Sequence, residues 1–266
     1  MKNFSASYYT RFNGIARLYG DEALAKFHDA NVCVVGIGGV GSWAAEALAR
    51  SGIGRITLFD MDDICVTNTN RQIHALQQKI GQLKTNVMAE RISQINPECQ
   101  TVIIDDFVSL DNVMEYFDSN LGMGFDYILD AIDGAVNKAA LIAYCKRNKL
   151  KVITVGGAGG KKDPTQIKIG DLAKTIHDPL MAKVRERLKQ HHGIHKDSKG
   201  KLGIPCVYST EQLTYPQGNG QVCLNKKNGL IHHKMDCTTG FGAITTVTGT
   251  FGFVAVSWIL EKIARN

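Results

Sequence analysis

The sequence predicts an α/β fold with a doubly wound, mostly parallel sheet. Apolar strand patterns alternate with helical patterns through the first 156 residues, as in successive βαβ units. A glycine-rich stretch joins the first of these strands to the helix that follows it, and an acidic residue ends the second strand. Together these observations favour helices on both faces of a parallel sheet, with a ligand at the carboxyl ends of its strands.

The first βαβ unit contains a nucleotide-binding fingerprint. The strand NVCVVG leads into Gly36, Gly38 and Gly41, which fit G-x-G-x-x-G, and a small-residue helix is predicted over residues 42–50. The second strand, RITLFD, ends at Asp60, at about the expected 20 residues beyond the glycines. The fingerprint predicts a Rossmann-like half in which a helix N-terminus faces a phosphate and Asp60 binds ribose hydroxyls. A turn-forming aspartate is the alternative interpretation of Asp60.

The remaining elements follow in order. Helices are predicted over residues 84–95 and 137–148, and strands at TVIID, FDYILDAID and KVITVGGAGG. After residue 160 the sequence predicts a strand at TQIKIGDLA, a helix over residues 178–190 with a proline in its first turn, and a strand over residues 206–208. Because no linker separates the halves, we expect residues 161–266 to form a C-terminal extension packed on the same body as residues 1–160.

Composition is ordinary for a globular protein, with 44% hydrophobic and 21% charged residues. The seven cysteines show no C-x-x-C spacing, and the N-terminus has no apolar core typical of a signal peptide. These features predict reduced thiols in the cytoplasm and disfavour a four-thiolate zinc site. The net charge of +6 permits an RNA partner without requiring one.

One segment is long enough to span a membrane. Residues 240–260, GFGAITTVTGTFGFVAVSWIL, contain no charged side chain. Several glycines and threonines weaken the hydropathy of the first half of this segment. We therefore expect a helix buried in the core or between the subunits of a homodimer, and disfavour a membrane span.

The residues after Asp60 favour chemistry on a phosphate bond. Asn68 and Arg71 lie just beyond the second strand, and Lys84 begins a predicted helix. An NAD-dependent oxidoreductase leaves the pyrophosphate intact, whereas an enzyme that breaks the α–β bond of ATP must stabilise charge on the leaving pyrophosphate. Asp133 follows a strand, where a carboxylate would hold Mg²⁺ shared with ATP phosphates. These residues disfavour the oxidoreductase, which stays an alternative.

The motifs of the first half resemble those of a known family. GIGGVGS, FDMDDICVTNTNRQ, GQLK, INPE and DAID are similar in order and spacing to those of the ubiquitin-activating-enzyme-like adenylyltransferases, which include the ThiF and molybdopterin-synthase adenylyltransferase group. The resemblance covers residues 11–160 and implies ATP-dependent adenylation of a carboxylate. It also implies a homodimer in which an arginine near the N-terminus acts in the partner's site. Arg11 and Arg17 are the candidates, and Arg17 is preferred.

The same resemblance implies the roles of individual residues. The paired C-x-x-C motifs and the catalytic-cysteine neighbourhood of the sulfur-carrier branch are absent. Their absence disfavours activation of a ubiquitin-like sulfur carrier, which stays the alternative function. On matching positions, Gly36, Gly38, Gly39 and Gly41 form the phosphate loop, Asp60 binds ribose, Asn68, Arg71 and Lys84 bind the phosphates, and Asp133 holds Mg²⁺.

The second half resembles a narrower family, the bacterial tRNA threonylcarbamoyladenosine dehydratases. GGAGGKKDPTQIKIGDLA, SKGKLGIPCVYSTE and KMDCTTGFGA carry this resemblance, which extends over nearly the whole chain. It implies adenylation of the threonyl carboxylate on the modified adenosine beside the anticodon of tRNA. The neighbouring ureido group then attacks the acyl-adenylate, which closes a ring and releases AMP. Holding both groups in one site makes the closure intramolecular and lowers its entropic barrier.

Three features of the second half have two interpretations each. Cys237 is either a small core residue or a functional thiol, since the resembling family is associated with a cysteine desulfurase and its sulfur-acceptor partner. The glycine-rich turn at residues 156–160 is either only a tight turn or a backbone site for substrate or a monovalent cation. The basic stretch at residues 183–201 is either a solvated face or a surface for tRNA phosphates. Its RNA-binding candidates are Arg185, Arg187, Lys196 and Lys199.

Overall fold

The computed structural model describes residues 4–118, 124–217, 220–224 and 241–265. The strands in these ranges are β1 (Asn31–Val35), β2 (Arg55–Phe59), β3 (Gln100–Ile104), β4 (Tyr127–Asp130), β5 (Val152–Val155), β6 (Ile167–Asp171), β7 (Pro205–Ser209), β8 (Tyr215–Pro216) and β9 (Val222–Cys223). The helices are α1 (Ala6–Tyr19), α2 (Asp21–Asp29), α3 (Gly41–Arg50), α4 (Lys84–Ile95), α5 (Val113–Phe117), α6 (Ala135–Arg147), α7 (Pro179–His192) and α8 (Thr245–Arg265).

Strands β1 to β7 form one sheet in the order β3-β2-β1-β4-β5-β7-β6. Every neighbouring pair is parallel except β6 and β7, which are antiparallel. The predicted doubly wound, mostly parallel sheet is therefore confirmed. Strand order reverses between β1 and β4, and open α/β sheets bind ligands at the carboxyl ends of the strands at such a point.

Helices cover both faces of this sheet. Apolar side chains of α3, α4 and α8 share a core with one face, and those of α5 and α6 share a core with the other. All five residues of β1 are buried because its two faces are both covered, which explains the continuous apolar run VCVV that follows Asn31. The sheet also runs across residue 160, since β7 pairs with β5.

Helix α8 is the apolar segment that the sequence predicted over residues 240–260, but it begins at Thr245 and ends at Arg265. By length and composition it is the one helix of the described residues that could cross a membrane. In the structure it packs against α2 and α3 and against strands β5, β6 and β7. Its core-facing positions, four residues apart, are Val247, Phe251, Ala255 and Ile259.

Candidate active site

The glycine loop joins β1 to α3 at the point where strand order reverses. Gly36 has a φ of +90°, and a Cβ there would lie 2.9 Å from the carbonyl oxygen of Ala131. A Cβ on Gly41 would lie 1.8 Å from the carbonyl oxygen of Gly36. These two glycines therefore allow backbone segments to pack together. Gly38 has no heavy atom within 4 Å of its Cβ position, so it faces open space.

The first turn of α3 lies at the end of this loop and has no side-chain cap. Its N–H groups and the positive end of the helix dipole are suited to an anion. A Cβ on Gly39 would lie 3.3 Å from Cγ2 of Thr248 and 3.4 Å from Cδ of Arg71. The loop is therefore enclosed on one side by α8 and by the stem of the predicted phosphate-binding arginine.

Two buried side chains hold the peptide groups of Ile37 within the loop. The N–H of Ile37 donates to Oδ2 of Asp60 over 2.6 Å, and His74 donates from Nε2 to the carbonyl oxygen of Ile37 over 2.9 Å. His74 was not among the predicted site residues. Its position follows from chain folding and not from a local motif, because 37 residues separate it from its partner.

Asp60 has a structural contact that the sequence did not reveal. Besides accepting from Ile37, it accepts from the N–H of Asp62 through Oδ1 over 2.9 Å. Burial raises the pKa of Asp60, and the Lys84 ammonium, with Nζ 3.8 Å from Oδ1, opposes that shift. A carboxylate accepts about four hydrogen bonds, so these contacts leave capacity for a ribose hydroxyl.

The two predicted phosphate-binding cations lie beside the loop. Lys84 begins α4, and its Nζ is 2.6 Å from Oδ2 of Asp62. Arg71 donates from one terminal nitrogen to the carbonyl oxygen of Thr67 over 2.8 Å and to Oδ1 of Asn70 over 3.0 Å. The contacts of Arg71 with Gly39 and of Lys84 with the Asp60 carboxylate bring both cations to the glycine loop.

Asn68 makes a structural contact in addition to the phosphate contact predicted for it. It is buried, and its Oδ1 accepts from the N–H of Cys65 over 3.0 Å, which closes the short turn before Arg71. The side-chain amide nitrogen of Asn68 is a donor, so it is the atom that would contact a phosphate. Asn68 therefore shapes the segment that carries Arg71.

Asp133 is exposed on the loop between β4 and α6. Strand order reverses between β1 and β4, and Asp60 lies on the other side of that reversal. No hydrogen bond or ion pair joins Asp133 to another described residue. Within the described ranges, no cluster of three or more His, Cys, Asp or Glu side chains could hold a metal ion. A Mg²⁺ ion at Asp133 would therefore take its remaining ligands from phosphates and water, as Mg²⁺ does in nucleotide-binding enzymes.

A buried ion pair fixes the loop that carries Asp133. Lys138 and Asp130 are fully buried, with Nζ 3.0 Å from Oδ1, and Lys138 also donates to the carbonyl oxygen of Ile132 over 2.8 Å. Thr154 donates to Oδ2 of Asp130 over 2.7 Å. Burial raises the pKa of Asp130, and the Lys138 ammonium acts against this shift. The sequence offered one clue to this network, a lysine inside the apolar helix AVNKAALIAY.

Hydrogen bonds attach the start of α8 to Asn70 and Arg71. Asn70 donates from Nδ2 to the carbonyl oxygen of Ala243 over 2.7 Å, and Thr245 donates back to the carbonyl oxygen of Asn70 over 2.7 Å. Thr248 donates to the carbonyl oxygen of Arg71 over 3.2 Å. The apolar C-terminal helix therefore positions the backbone of Arg71 as well as filling the core.

The RNA-binding candidates are not equivalent in the structure. One terminal nitrogen of Arg185 donates to the hydroxyl of Thr175 and, over 3.3 Å, to the carbonyl oxygen of Leu172, so this arginine stabilises a turn of its own chain. Lys196 and Lys199 are exposed on a loop organised by Asp197, whose carboxylate accepts from the N–H of Lys199 over 2.9 Å. Arg187 is half-buried on α7. Lys196, Lys199 and Arg187 are therefore the better candidates for phosphate contact.

Arg17 has no hydrogen bond or ion pair with the glycine loop among the described residues. Helix α1 packs on α2, and the Tyr8 hydroxyl donates to the carbonyl oxygen of Gly52, just before β2 and therefore at the amino edge of the sheet. Arg17 is exposed and donates to Oδ1 of Asn13 over 3.2 Å. Cys237 lies outside the described residues.

Comparisons with known proteins agree with this geometry. The profile of the ThiF family matches residues 11–266. The tRNA threonylcarbamoyladenosine dehydratase of Escherichia coli (strain K12) is 63% identical over 253 residues, covering 95% of this chain and 93% of that protein. The enzyme of the same name from Haemophilus influenzae is 54% identical, covering 98% and 95%. The structure of E. coli tRNA N6-threonylcarbamoyladenosine dehydratase, TcdA, in complex with ATP is similar with a TM-score of 0.86 at 59% identity, covering 97% of this chain and 96% of that chain.

A glycine loop flanked by two cations, on a sheet of this order, defines an adenylating nucleotide-binding enzyme. The chain belongs to the ThiF family and, within it, to the tRNA threonylcarbamoyladenosine dehydratases. This membership confirms the adenylating-enzyme prediction over the oxidoreductase alternative.

Proposed function

We propose that this chain catalyses the ATP-dependent cyclisation of threonylcarbamoyladenosine in tRNA. The observation that carries the proposal is the convergence of Arg71, Lys84 and the uncapped N-terminus of α3 on the glycine loop. The high identity of this chain to a tRNA threonylcarbamoyladenosine dehydratase supports it. The cations stabilise charge on the leaving pyrophosphate while the threonyl carboxylate attacks the α-phosphorus of ATP. Attack by the ureido group then closes the ring and expels AMP.

Mg²⁺ is the proposed metal, held by Asp133 together with the phosphates of ATP. Its chemistry would be to neutralise charge on the phosphate oxygens. The exposed carboxylate of Asp133 fits this use because the buried Asp130–Lys138 pair fixes its loop without involving it. The turn at residues 156–160 is the candidate for a monovalent cation, since backbone carbonyl oxygens are ligands that such ions accept.

The active unit that we propose is a cytoplasmic homodimer in which both halves of each chain act as one body. Arg17 would enter the partner's site, and the attachment of its helix α1 to the amino edge of the sheet through Tyr8 supports action across the dimer. A cysteine desulfurase and its sulfur-acceptor protein are the proposed further partners, with Cys237 as the candidate thiol.

Product analysis tests this function. The purified protein, ATP, Mg²⁺ and tRNA bearing threonylcarbamoyladenosine should yield AMP, pyrophosphate and a modified nucleoside lighter by one water in mass spectrometry. Unmodified tRNA is the matched control and should yield none of these products. AMP formation that requires a ubiquitin-like sulfur carrier, with no change in modified tRNA, would instead establish the alternative function.

A further inference from the structure

A second opening lies at the carboxyl edge of the sheet, separate from the glycine loop. It is a cavity of about 840 Å³ between the start of α7 and the chain that follows β7. Asp178 and Ala182 line it from the α7 side, and Gln212, Leu213 and Tyr215 line it from the opposite side. Its volume falls within the range of pockets that bind small molecules, roughly 300–1,000 Å³.

This cavity is joined to the turn after β5, the strand next to β4, which precedes Asp133. The N–H of Gly157, in the turn after β5, donates over 3.0 Å to Oδ2 of Asp178, which lines the cavity. Asp130 on β4 pairs with Thr154 on β5, so Asp133 and Gly157 each lie three residues beyond paired positions. Neighbouring strands are about 4.8 Å apart, so the two loops emerge side by side.

The cavity and the glycine loop lie on opposite sides of Asp133. The glycine loop follows β1, which borders β4 on one side, and the turn at residues 156–160 follows β5, which borders β4 on the other. The loop that carries Asp133 therefore lies between a nucleotide on the glycine loop and a second ligand bound at the turn after β5. An adenylating enzyme requires this arrangement, because its carboxylate substrate must meet the α-phosphate of ATP.

The lining of the cavity suits a nucleobase. Leu213 and Tyr215 provide apolar surface, and the exposed amide of Gln212 is a donor and acceptor of the kind that pairs with adenine edges. His177, at the same cavity, has a φ of +50°, a strained conformation that occurs often at ligand sites. Arg185 of α7 also lines the cavity, so a cation borders the opening.

We propose that this cavity receives the threonylcarbamoyladenosine of tRNA, unstacked from its single-stranded loop, with the threonyl carboxylate directed toward Asp133. The inference rests on the proposed function and adds the location of the acceptor nucleoside. Recognition of an unstacked base by an apolar wall and polar edge contacts is the usual mode for enzymes that act on one nucleotide.

A cavity-filling variant tests the inference. Ala182→Trp should raise the KM for modified tRNA by about tenfold or more, as expected when a pocket loses complementarity to its substrate. The KM for ATP and the affinity for unmodified tRNA should stay within about twofold of wild type. Glu186→Trp, one helical turn further along α7 and outside the cavity, is the matched control and should leave all three values unchanged.

Gln212→Ala is an independent second variant that removes an edge contact without filling the cavity. It should reduce the preference for modified over unmodified tRNA by a factor of about 5 or more. If wild-type enzyme cyclises modified tRNA and both variants keep its KM and its preference, this inference alone is overturned. Equal weakening of modified and unmodified tRNA would also overturn it, because the cavity would then be a general RNA contact. A wild-type enzyme that does not cyclise modified tRNA would refute the proposed function and this inference together.

Discussion

His74 donates a hydrogen bond from Nε2 to the carbonyl oxygen of Ile37 over 2.9 Å, and this contact links a buried titratable group to the glycine loop. Burial, together with the charges of Lys84 and Arg91, lowers the pKa of His74 to about 4. The ring is therefore neutral near pH 7, and its one proton must lie on Nε2 because a carbonyl oxygen can only accept. Protonating the ring would place an unpaired charge beneath the loop.

Acidification should destabilise the protein through His74. Its pKa is about 6.5 in the unfolded chain and about 4 in the folded one, so the unfolded chain binds the proton more tightly. The stabilisation is fully present above about pH 6.5 and is lost as pH falls toward 4, by on the order of 3 kcal/mol. Urea unfolding across this pH range measures the loss. In His74→Gln, which cannot titrate, that part of the pH dependence should be absent; equal slopes in both proteins would contradict the assignment.

Two glycines of the same loop should respond differently to alanine. The Cβ of Gly41→Ala would lie 1.8 Å from the carbonyl oxygen of Gly36, so the backbone must move, at a cost of about 1–3 kcal/mol. Gly38→Ala adds a methyl group to open space and should keep wild-type stability. That methyl group would occupy the expected path of the phosphates, so thermal stabilisation by ATP should be reduced in Gly38→Ala. Thermal unfolding with and without ATP measures both effects, and full stabilisation of Gly38→Ala by ATP would contradict this phosphate position.

The sheet and the glycine loop could be predicted because their determinants are local. The buried run of β1 and the G-x-G-x-x-G spacing are each complete within a few residues. His74 and Lys138 could not be assigned in the same way, because each acts through partners that only the folded chain brings together. Arg185 was predicted as an RNA-binding candidate from its basic sequence context, and only folding shows that Thr175 is its hydrogen-bond partner. The late start of α8 has a similar cause, since Asn70 holds Ala243 in the chain before the helix.

Breaking the buried ion pair beneath the Asp133 loop should cost more than removing both of its charges. Lys138→Met leaves the carboxylate of Asp130 buried without its cation, and such changes cost about 3–5 kcal/mol. The double variant Asp130→Asn with Lys138→Met removes both charges and should recover part of that loss. Urea unfolding of wild type, both single variants and the double variant gives the coupling energy. Additive losses would show that the pair contributes no specific interaction.

Loss of the guanidinium of Arg71 should affect turnover far more than folding. Arg71→Met removes a cation from the glycine loop, and loss of one such electrostatic group lowers kcat by about 10²–10³-fold. The side-chain hydrogen bonds of Arg71 go to Thr67 and Asn70 on the same surface segment, so the unfolding midpoint should change little. AMP release measured with modified tRNA tests the first effect. Lys79→Met, which removes a cation paired with Glu90, is the control and should turn over normally.

The RNA-binding candidates of the second half should differ in how much their loss changes the salt dependence of tRNA binding. Lys196→Ala and Lys199→Ala each remove an exposed cation and should lower the slope of log affinity against log salt concentration by about 0.7–0.9. Arg185→Ala should change this slope little, because one of its nitrogens is bonded to Thr175 and Leu172, and should instead reduce thermal stability. Filter binding at several salt concentrations, with ATP affinity as the internal control, measures the slopes. If only Arg185→Ala lowered the slope, the phosphate-binding surface would lie at α7 itself and not at the loop organised by Asp197.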